Sequence, residues 1–312
     1  MHANVLVSTK DMKYQEWLKY RRLGIGGSDV AAVCGLSKWK SPVEVWLDKT
    51  GQIEPAPAGE AAYWGTLMEP IIRQEFADRT GFKIRQVHAI LQHKRFKFML
   101  ANLDGIVTDP SLGGDGIFEA KTASAYRAAE WEQGVPEEYQ LQVQHYMAVT
   151  GLSFAWVAVL IGGNQFVWRL IERDEGIIDL LIQMESRFWK LVETGVAPEI
   201  DGSPASTELL NRLYPESKPK SIIDLPVDSY KWVQQFEQFQ REEKDAALKK
   251  EEAANHLKEL LGDSEVGLIQ GRTVTWKTMN SERLDSKALK AAHPEIAVEF
   301  IKTSSYRRFT VK

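Results

Sequence analysis

Asp104 is followed, after fourteen intervening residues, by the triplet Glu119, Ala120 and Lys121. Two carboxylates can bind a divalent cation, and a lysine beside them can act on a water molecule, which is the combination that metal-assisted cleavage of a phosphodiester requires. A charged edge strand with an ordinary ion pair would contain the same residue types. The elements that carry these residues therefore decide whether they can meet.

The sequence around these residues predicts a β-hairpin. Residues 98–107 and 117–122 are mostly apolar, and the glycine-rich segment 113–116 lies between them, as in a hairpin turn. Side chains on a strand point to alternate faces, so Glu119 and Lys121 share one face while the residue between them points back into the core. Closure of this hairpin would place the first carboxylate beside the second. Residues 83–92 are predicted as one strand that leads into the hairpin.

Three further features could serve the same chemistry. Glu69 lies at the margin of a predicted helix, where its carboxylate could reach a second metal ion, although a single helical glutamate is more often solvated. The next residue is Pro70, so either the helix kinks there or a new helix begins. Arg21 and Arg22 precede a glycine-rich bend that contains Ser28, and these groups resemble a phosphate cradle at a helix start; the alternative is a tight turn with Ser28 as the helix cap. Gln142 lies on a predicted helix, and its neutral amide can hydrogen-bond a phosphate, although surface glutamines are common.

The composition predicts a globular protein of the cytoplasm. Of 312 residues, 44% are hydrophobic and 26% are charged, which is ordinary for a chain that buries a sizeable core. The longest apolar run, residues 154–161, is too short to span a bilayer, and the N-terminus lacks the pattern of an export signal. Cys34 is the only cysteine, which excludes an intramolecular disulfide and a cysteine-rich zinc site.

The charge distribution is compatible with binding to nucleic acid without demanding it. The net charge of −4 argues mildly against a general nucleic-acid binder. Lysines and arginines nevertheless concentrate in the first forty residues and just before Asp104. A local basic lining can bind phosphates while acidic residues elsewhere set the total charge.

The chain divides into a body and a C-terminal part. We predict an α/β body over residues 1–200, a proline- and serine-containing linker over 201–227, and a C-terminal region over 228–312. The last region consists of a long charged helix at 230–261 and a small α+β unit to which the sequence assigns no role. Residues 54–59, which contain two prolines, are predicted as a loop.

Several spaced motifs occur in one order along the chain and, taken together, are more specific than any one of them. They are Trp17, Arg22, Leu23, Gly24 and Ser28; Trp64, Gly65 and Glu69; Asp104 and Gly105; Glu119, Ala120 and Lys121; and Tyr139, Gln142, Val143 and Gln144. In this order they resemble the YqaJ-like viral recombinase family over residues 14–195. The resemblance implies a restriction-endonuclease-like core, which is a central mixed β-sheet flanked by helices, with the C-terminal region as an extension.

The resemblance also implies an activity. It implies a magnesium-dependent exonuclease, with Mn²⁺ able to substitute, that digests one strand of linear double-stranded DNA from the 5′ end and splits the duplex with a wedge near residues 62–64. The enzyme would leave 3′ single strands for a single-strand annealing protein, and would act as a homotrimeric ring encoded by a phage or prophage of a bacterial host. A site- or structure-specific endonuclease on the same core is the alternative enzyme, and a DNA-binding module that does not cut is the alternative from another class.

Carried over by position, the resemblance implies a role for each residue of the carboxylate–lysine set. Asp104 and Glu119 would bind the metal, with the backbone carbonyl of Ala120 as a further ligand. Glu69 would contribute to the second ion. Lys121 would orient the attacking water and stabilise its hydroxide form.

The same resemblance implies a set of DNA-binding residues. Arg22, Ser28 and Gln142 would hold the terminal 5′-phosphate. Asn102 stands where a serine completes this pocket in the family, and it can still donate a hydrogen bond. Lys38 occupies the position of a basic residue that grips the DNA.

Overall fold

The computed structural model describes residues 2–54 and 59–311, which are arranged as two units. The first unit extends to Leu213 and the second begins at Tyr214. Most of the predicted loop, residues 55–58, lies outside the described residues. Among the residues that are described, no helix is both long enough and apolar enough to cross a membrane.

The first unit contains two β-sheets surrounded by helices. Its strands are β1 (Asn4–Ser8), β2 (Ile25–Gly26), β3 (Lys83–Arg85), β4 (Ala89–Gln92), β5 (Met99–Ala101), β6 (Gly105–Asp109), β7 (Gly114–Ala123), β8 (Phe154–Ile161) and β9 (Gln165–Glu172). Its helices are α1 (Tyr14–Arg21), α2 (Gly27–Val33), α3 (Pro42–Lys49), α4 (Glu60–Thr80), α5 (Ala128–Glu132), α6 (Glu137–Thr150), α7 (Glu175–Thr194) and α8 (Pro204–Leu213).

The central sheet has five strands in the order β3-β6-β7-β8-β9. Strands β7 and β8 are parallel and the other neighbours are antiparallel. The predicted hairpin is β6 and β7, with Gly105 opposite Phe118. Phe118 packs with Phe76 of α4, whereas its neighbour Ile117 packs with Met147 of α6, because adjacent strand residues face opposite ways. The predictions of a mixed α/β fold and of this hairpin are thus confirmed.

A second sheet places α2 beside the central sheet. Its order is β1-β4-β5-β2, and the short strand β2 pairs in parallel with β5 at Ile25 and Met99. The sequence predicted one strand over residues 83–92, but the chain forms β3 in the central sheet and β4 in this sheet. The single-strand prediction is wrong because the chain leaves one sheet at Arg85 and enters the other at Ala89.

Helix α4 continues through Pro70 without a break. The sequence left open a kink or a new helix at this residue. Ile72 and Phe76 on the following turns are buried against the sheet, and Gly81 ends the helix in the left-handed conformation with φ of 73°. This packing fixes the orientation of Glu69, which precedes the proline.

Part of the predicted linker is a helix of the first unit. Within residues 201–227, α8 buries Ala205 and Leu209. Asp201 Oδ1 accepts hydrogen bonds from the Ser203 backbone N–H and hydroxyl at the start of this helix. Ser203 Oγ accepts from the backbone N–H of Ser206, so a serine that indicated a linker caps this helix, and residues 204–213 are helical where a linker was predicted.

The second unit has few buried side chains. Its elements are α9 (Tyr230–Leu261), β10 (Val266–Ile269), β11 (Arg272–Thr275), α10 (Ser286–Ala292) and α11 (Pro294–Glu299). Strands β10 and β11 form an antiparallel hairpin, and Phe236 contacts Phe309 edge-to-face at 5.4 Å. Among the described residues of this unit, only Ala297 is buried.

Candidate active site

A cavity of about 680 Å³ is lined by residues of α1, α2, α4, α6, β5 and β7. Eight of the residues predicted from the sequence line it: Ser28, Glu69, Asn102, Asp104, Glu119, Ala120, Lys121 and Gln142. Arg22 and Lys38, which were predicted to bind DNA, do not line it.

The hairpin brings the two carboxylates together. The antiparallel register that pairs Gly105 with Phe118 places Asp104, just before β6, opposite Glu119. Asp104 Oδ2 accepts a hydrogen bond of 2.8 Å from the backbone N–H of Ala120. Strand β6 pairs with β7 only as far as Phe118. The backbone N–H of Ala120 therefore has no partner on β6, and the side chain of Asp104 accepts its hydrogen bond instead.

Lys121 is held beside Glu119 by two short contacts. Its Nζ donates to Glu119 Oε1 at 2.6 Å and to Gln142 Oε1 at 3.0 Å. The same Nζ lies 4.7 Å from the centre of the Tyr139 ring, within range of a cation–π interaction. The amine is therefore fixed in one position at the edge of the carboxylates.

Gln142, which the resemblance assigns to the terminal phosphate, contacts the carboxylate of Glu119 and the amine of Lys121. Its Nε2 donates to Glu119 Oε1 at 2.6 Å and to the hydroxyl of Tyr146 at 3.1 Å. An amide has two donor hydrogens, and both are engaged here. Gln142 thus positions Glu119 and Lys121, and the arrangement leaves it no donor for a phosphate.

The carboxylates are held close together against their electrostatic repulsion. Burial, together with the charge of Asp104, raises the pKa of Glu119 to about 8. Burial also raises the pKa of Asp104, despite the opposing charge of Lys121. Burial alone would lower the pKa of Lys121, but Glu119 and Asp104 raise it, so this amine stays protonated at neutral pH.

The donor set fits a magnesium ion. Glu119 Oε2 is buried and has no hydrogen-bond partner, which leaves an oxygen ligand free inside a cluster of negative charge. Within residues 2–54 and 59–311, no group of three or more His, Cys, Asp and Glu side chains is arranged to hold a metal. Magnesium needs no such cage, since it is commonly bound by one or two carboxylates, several waters and substrate phosphates.

Glu69, on α4, also lines the cavity. Its Oε1 accepts from Arg73 Nη1 at 3.0 Å, and the same nitrogen donates to the backbone oxygen of Asp104 at 3.1 Å. Burial, and then the charge of Asp104, raises the pKa of Glu69. Arg73 therefore ties the third carboxylate to the loop that carries the first.

Arg21, rather than Arg22, is the arginine of the cavity. Arg21 Nη2 donates to Ser28 Oγ at 2.9 Å, and its guanidinium lies 4.9 Å from the centre of the Trp17 ring. Arg22 instead contacts Asp48 Oδ1 at 3.4 Å and the backbone oxygen of Ile53 at 3.1 Å. Arg22 points away from the cavity because neighbouring helical residues point about 100° apart, and the i, i+4 spacing from Trp17 to Arg21 was the signal that could have indicated Arg21 as the residue on the cavity side.

Ser28 lies inside α2 and is not its cap. The helix begins after Gly26, whose backbone N–H donates to Asp29 Oδ2 at 3.3 Å. A Cβ at Gly27 would lie 2.4 Å from the Tyr146 ring and 2.9 Å from Gln142. Glycine at this position therefore lets α2 approach α6 closely and brings Ser28 to the residues that hold Glu119.

The outer rim of the cavity contains basic and aromatic residues. Asn102 is exposed and lines the cavity. Lys38 lies outside the lining, 3.8 Å from Glu130. Its neighbour Trp39 is 72% exposed and lines the cavity, with Arg127 at 5.9 Å from the ring centre; no spacing motif in the sequence marked this pair.

The predicted wedge region is also at the rim. Ala62 lines the cavity, whereas Trp64 lies outside its lining, half exposed, with Nε1 donating to Glu60 at 3.2 Å.

Sequence comparisons agree with the resemblance noted above. Residues 16–153 match the family of the YqaJ-like viral recombinase domain. The protein YqaJ of Bacillus subtilis (strain 168) is 42% identical over 315 aligned positions, which cover 99% of this chain and 98% of the relative. This chain belongs to the YqaJ-like viral recombinase family. The family predicted from the spaced motifs is thus confirmed, and membership of this YqaJ-like family supports a nuclease role.

Solved structures similar to this YqaJ-like chain include two of the alkaline exonuclease LHK-Exo from Laribacter hongkongensis. The complex of LHK-Exo with dAMP is 23% identical, with a TM-score of 0.48, and covers 64% of this chain and 97% of that one. A phage-related exonuclease from Haemophilus somnus 129PT is 13% identical, with a TM-score of 0.42, and covers 58% of this chain and 98% of that one.

Proposed function

We propose that this protein is a magnesium-dependent 5′→3′ exonuclease that digests one strand of linear double-stranded DNA. The observation that carries the proposal is that one cavity joins two kinds of site. One wall holds Asp104, Glu119 and Lys121, and another holds Arg21 and Ser28. The first set suits hydrolysis of a phosphodiester, and the second suits a terminal phosphate, so the enzyme would cut next to an end.

The metal ligands in this proposal are Asp104, Glu119 and the backbone carbonyl of Ala120, with Glu69 contributing to a second ion. A bound magnesium ion would polarise the scissile phosphate and offset the negative charge of the transition state. Mn²⁺ would substitute because it accepts the same oxygen ligands. The unpartnered Oε2 of Glu119 supports this assignment.

Lys121 would position the attacking water. A lysine ammonium has three donor hydrogens, and Glu119 and Gln142 accept two of them. The third can donate to a water molecule and stabilise its hydroxide form by charge. Since Glu119 and Asp104 keep Lys121 protonated, it would act through its positive charge and not as a proton acceptor.

The end of the DNA would be recognised through its 5′-phosphate. Arg21 supplies a guanidinium and Ser28 a hydroxyl, and both favour phosphate oxygens. Asn102, exposed at the rim, would add an amide donor. Lys38, with a side chain that is 68% exposed, would contact the backbone of the approaching duplex without reading its sequence.

In a biological setting, the 3′ single strands left by digestion would pass to a single-strand annealing protein in phage-type recombination. We further propose that three copies form a ring that encloses the product strand, which would keep the enzyme on its substrate through successive cuts.

The test compares linear and covalently closed duplexes in the presence of Mg²⁺. We expect the linear form to be degraded and the closed form to remain intact. Asp104→Asn should abolish degradation, whereas the matched variant Asp115→Asn should retain it, because Asp115 lies on the same hairpin but contacts Arg85 and Thr108 instead. Cutting of closed circles would favour an endonuclease, and metal-independent binding without cleavage would favour a non-cleaving module.

A further inference from the structure

Asp29 lies directly after Ser28 in α2 but is buried, with 1% of its surface exposed. Its Oδ2 accepts from Lys49 Nζ at 2.7 Å and from Arg21 Nη2 at 3.2 Å. Its Oδ1 accepts from Lys40 Nζ at 3.3 Å. Three cations, from α1, from α3 and from the loop before α3, thus converge on one carboxylate that does not itself line the cavity.

The contact with Arg21 involves the nitrogen that also reaches the cavity. Arg21 Nη2 is shared between Asp29 Oδ2 and Ser28 Oγ, which it contacts at 2.9 Å. The ring of Trp17 packs against the guanidinium, and Lys49 Nζ donates to the backbone oxygen of Arg21 at 3.0 Å. The guanidinium is therefore held by a carboxylate and an aromatic ring while it contacts a cavity-lining hydroxyl.

Asp29 remains charged in this environment. Burial alone would raise the pKa of its carboxyl, but Lys49, Lys40 and Arg21 hold it well below its usual range. A buried ion cluster of this kind is weak evidence for stability, since well-packed apolar residues often serve a fold as well. The geometry of the cluster is suited to orienting Arg21, because a planar guanidinium bound to a fixed carboxylate has few alternative positions.

We propose that Asp29 is a positioning residue for recognition of the DNA end, which holds Arg21 in the orientation in which Arg21 and Ser28 bind the terminal phosphate. Asp29 would not touch the phosphate, because a carboxylate repels it. The lysines that neutralise Asp29 keep the surroundings of the phosphate positive. This inference rests on the proposed function, in that it requires the cavity to bind a 5′-phosphate.

The test measures binding without cleavage. Short duplexes with a 5′-phosphate or a 5′-hydroxyl end are titrated with the full-length protein in EDTA, and the ratio of the two dissociation constants is recorded. We expect the wild type to prefer the 5′-phosphate. Asp29→Asn should reduce this preference about tenfold while binding to the 5′-hydroxyl duplex stays nearly unchanged, because the loss acts only through Arg21.

Two further variants separate this role from a merely structural one. Asp48→Asn removes a nearby carboxylate whose hydrogen-bond partner is Arg22, and it should keep the preference. The double variant Asp29→Asn, Lys49→Met avoids a stranded buried ammonium if the single variant does not fold, and it should lose the preference in the same way. A general loss of structure would weaken binding to both duplexes alike and would overturn the inference.

The outcomes also distinguish the inference from the proposed function. If the wild type prefers the 5′-phosphate and Asp29→Asn retains that preference, the inference fails and the proposed function stands. If the wild type shows no preference, the phosphate pocket is wrong and the inference fails with it.

Discussion

Arg21 and Arg22 are adjacent in sequence, yet only one of them contacts the cavity. Arg21 donates to Ser28 and Asp29, whereas Arg22 contacts Asp48. For Glu119 and Lys121, the strand pattern was enough to predict that both side chains lie on the same face, because side chains in a strand alternate with a period of two. The helix around the arginines is short, and the residues that distinguish them by contact lie on α2 and α3. How these helices pack against α1 does not follow from the periodicity of α1 itself.

The two arginines give a matched pair of variants. We predict that Arg21→Ala raises KM for 5′-phosphorylated duplex by roughly tenfold or more, since a hydrogen bond to a charged group contributes about 1.5–3 kcal/mol. Arg22→Ala should leave KM nearly unchanged. Steady-state digestion of duplexes with and without the 5′-phosphate measures both, and an equal effect of the two variants would contradict the assignment.

Lys121 gives the second prediction for a single residue. Lys121→Met keeps much of the side-chain length but removes the charge, and we predict that kcat falls by roughly 10²–10³-fold, as on loss of one donor to a developing negative charge. DNA binding in EDTA should persist. Lys83→Met, at an exposed position on β3 of the same sheet, is the control, and full activity of Lys121→Met would remove this residue from the mechanism.

At the level of elements, the hairpin and the placement of α2 differ in how far the sequence determines them. Alternation and a glycine-rich turn were enough to predict β6 and β7, because the hairpin is local. The approach of α2 to α6 depends on contacts of Gly27 with Tyr146 and Gln142, which lie more than a hundred residues away. The sequence therefore placed Ser28 at the start of a helix but could not show that this helix packs against Tyr146 and Gln142.

The close approach of α2 and α6 can be tested by a glycine-to-alanine substitution, which adds one methyl group. We predict that Gly27→Ala lowers the free energy of unfolding by about 1–3 kcal/mol, because the new Cβ would overlap the ring of Tyr146. Gly202→Ala is the matched control, since nothing lies within 4 Å of a Cβ there. Urea unfolding compares the two, and an equal stability of both variants would show that the helices do not meet as described.

A buried ion pair links α6, α7 and β5. His145 Nδ1 lies 2.8 Å from Glu185 Oε1, and its Nε2 lies 2.8 Å from the backbone oxygen of Leu100. A carbonyl and a carboxylate both accept hydrogen bonds, so the ring donates from both nitrogens when it is protonated. Burial alone would lower the pKa of His145, but Glu185 raises it above its usual value.

This pair predicts a pH-dependent contribution to stability. Because the pKa of His145 is higher in the folded than in the unfolded chain, the stabilisation is complete below the unfolded value of about 6.5 and is lost as the pH rises through the folded value. Glu185→Gln should therefore cost about 3 kcal/mol of unfolding free energy near pH 5.5 and less near pH 9. Glu193→Gln, an exposed position on the same helix, is the control; a cost for Glu185→Gln that does not change with pH would contradict the protonated pair.

For the whole molecule, the sequence was informative about the first unit and nearly silent about the second. Periodicity identified helix α9, because it is long and strongly patterned. Periodicity does not indicate a function for this unit. Among its described residues only Ala297 is buried, so these residues form no core that would position a site. The boundary at Leu213 was also missed, because burial of Leu209 and the ion pair of Arg212 with Glu44 are tertiary contacts.

The proposed trimer can be tested by measuring the mass of the protein in solution. We predict that the full chain in solution has three times the mass of one chain, because the proposed ring would enclose the product strand and hold the enzyme on it through repeated cuts. Light scattering coupled to size exclusion measures this directly. A monomer at the concentrations used for digestion would contradict the ring while leaving the chemistry of the cavity intact.

The most direct measurement of the central claim is the order in which the two ends of one strand are released. A linear duplex carries one label at the 5′ end and a different label at the 3′ end of the same strand, and it is digested in Mg²⁺ by the wild type, Asp104→Asn and Lys121→Met. The account predicts early release of the 5′ label as small products, late release of the 3′ label, and a strong reduction of both in the variants. Early release of the 3′ label, or undiminished release by the variants, would contradict it.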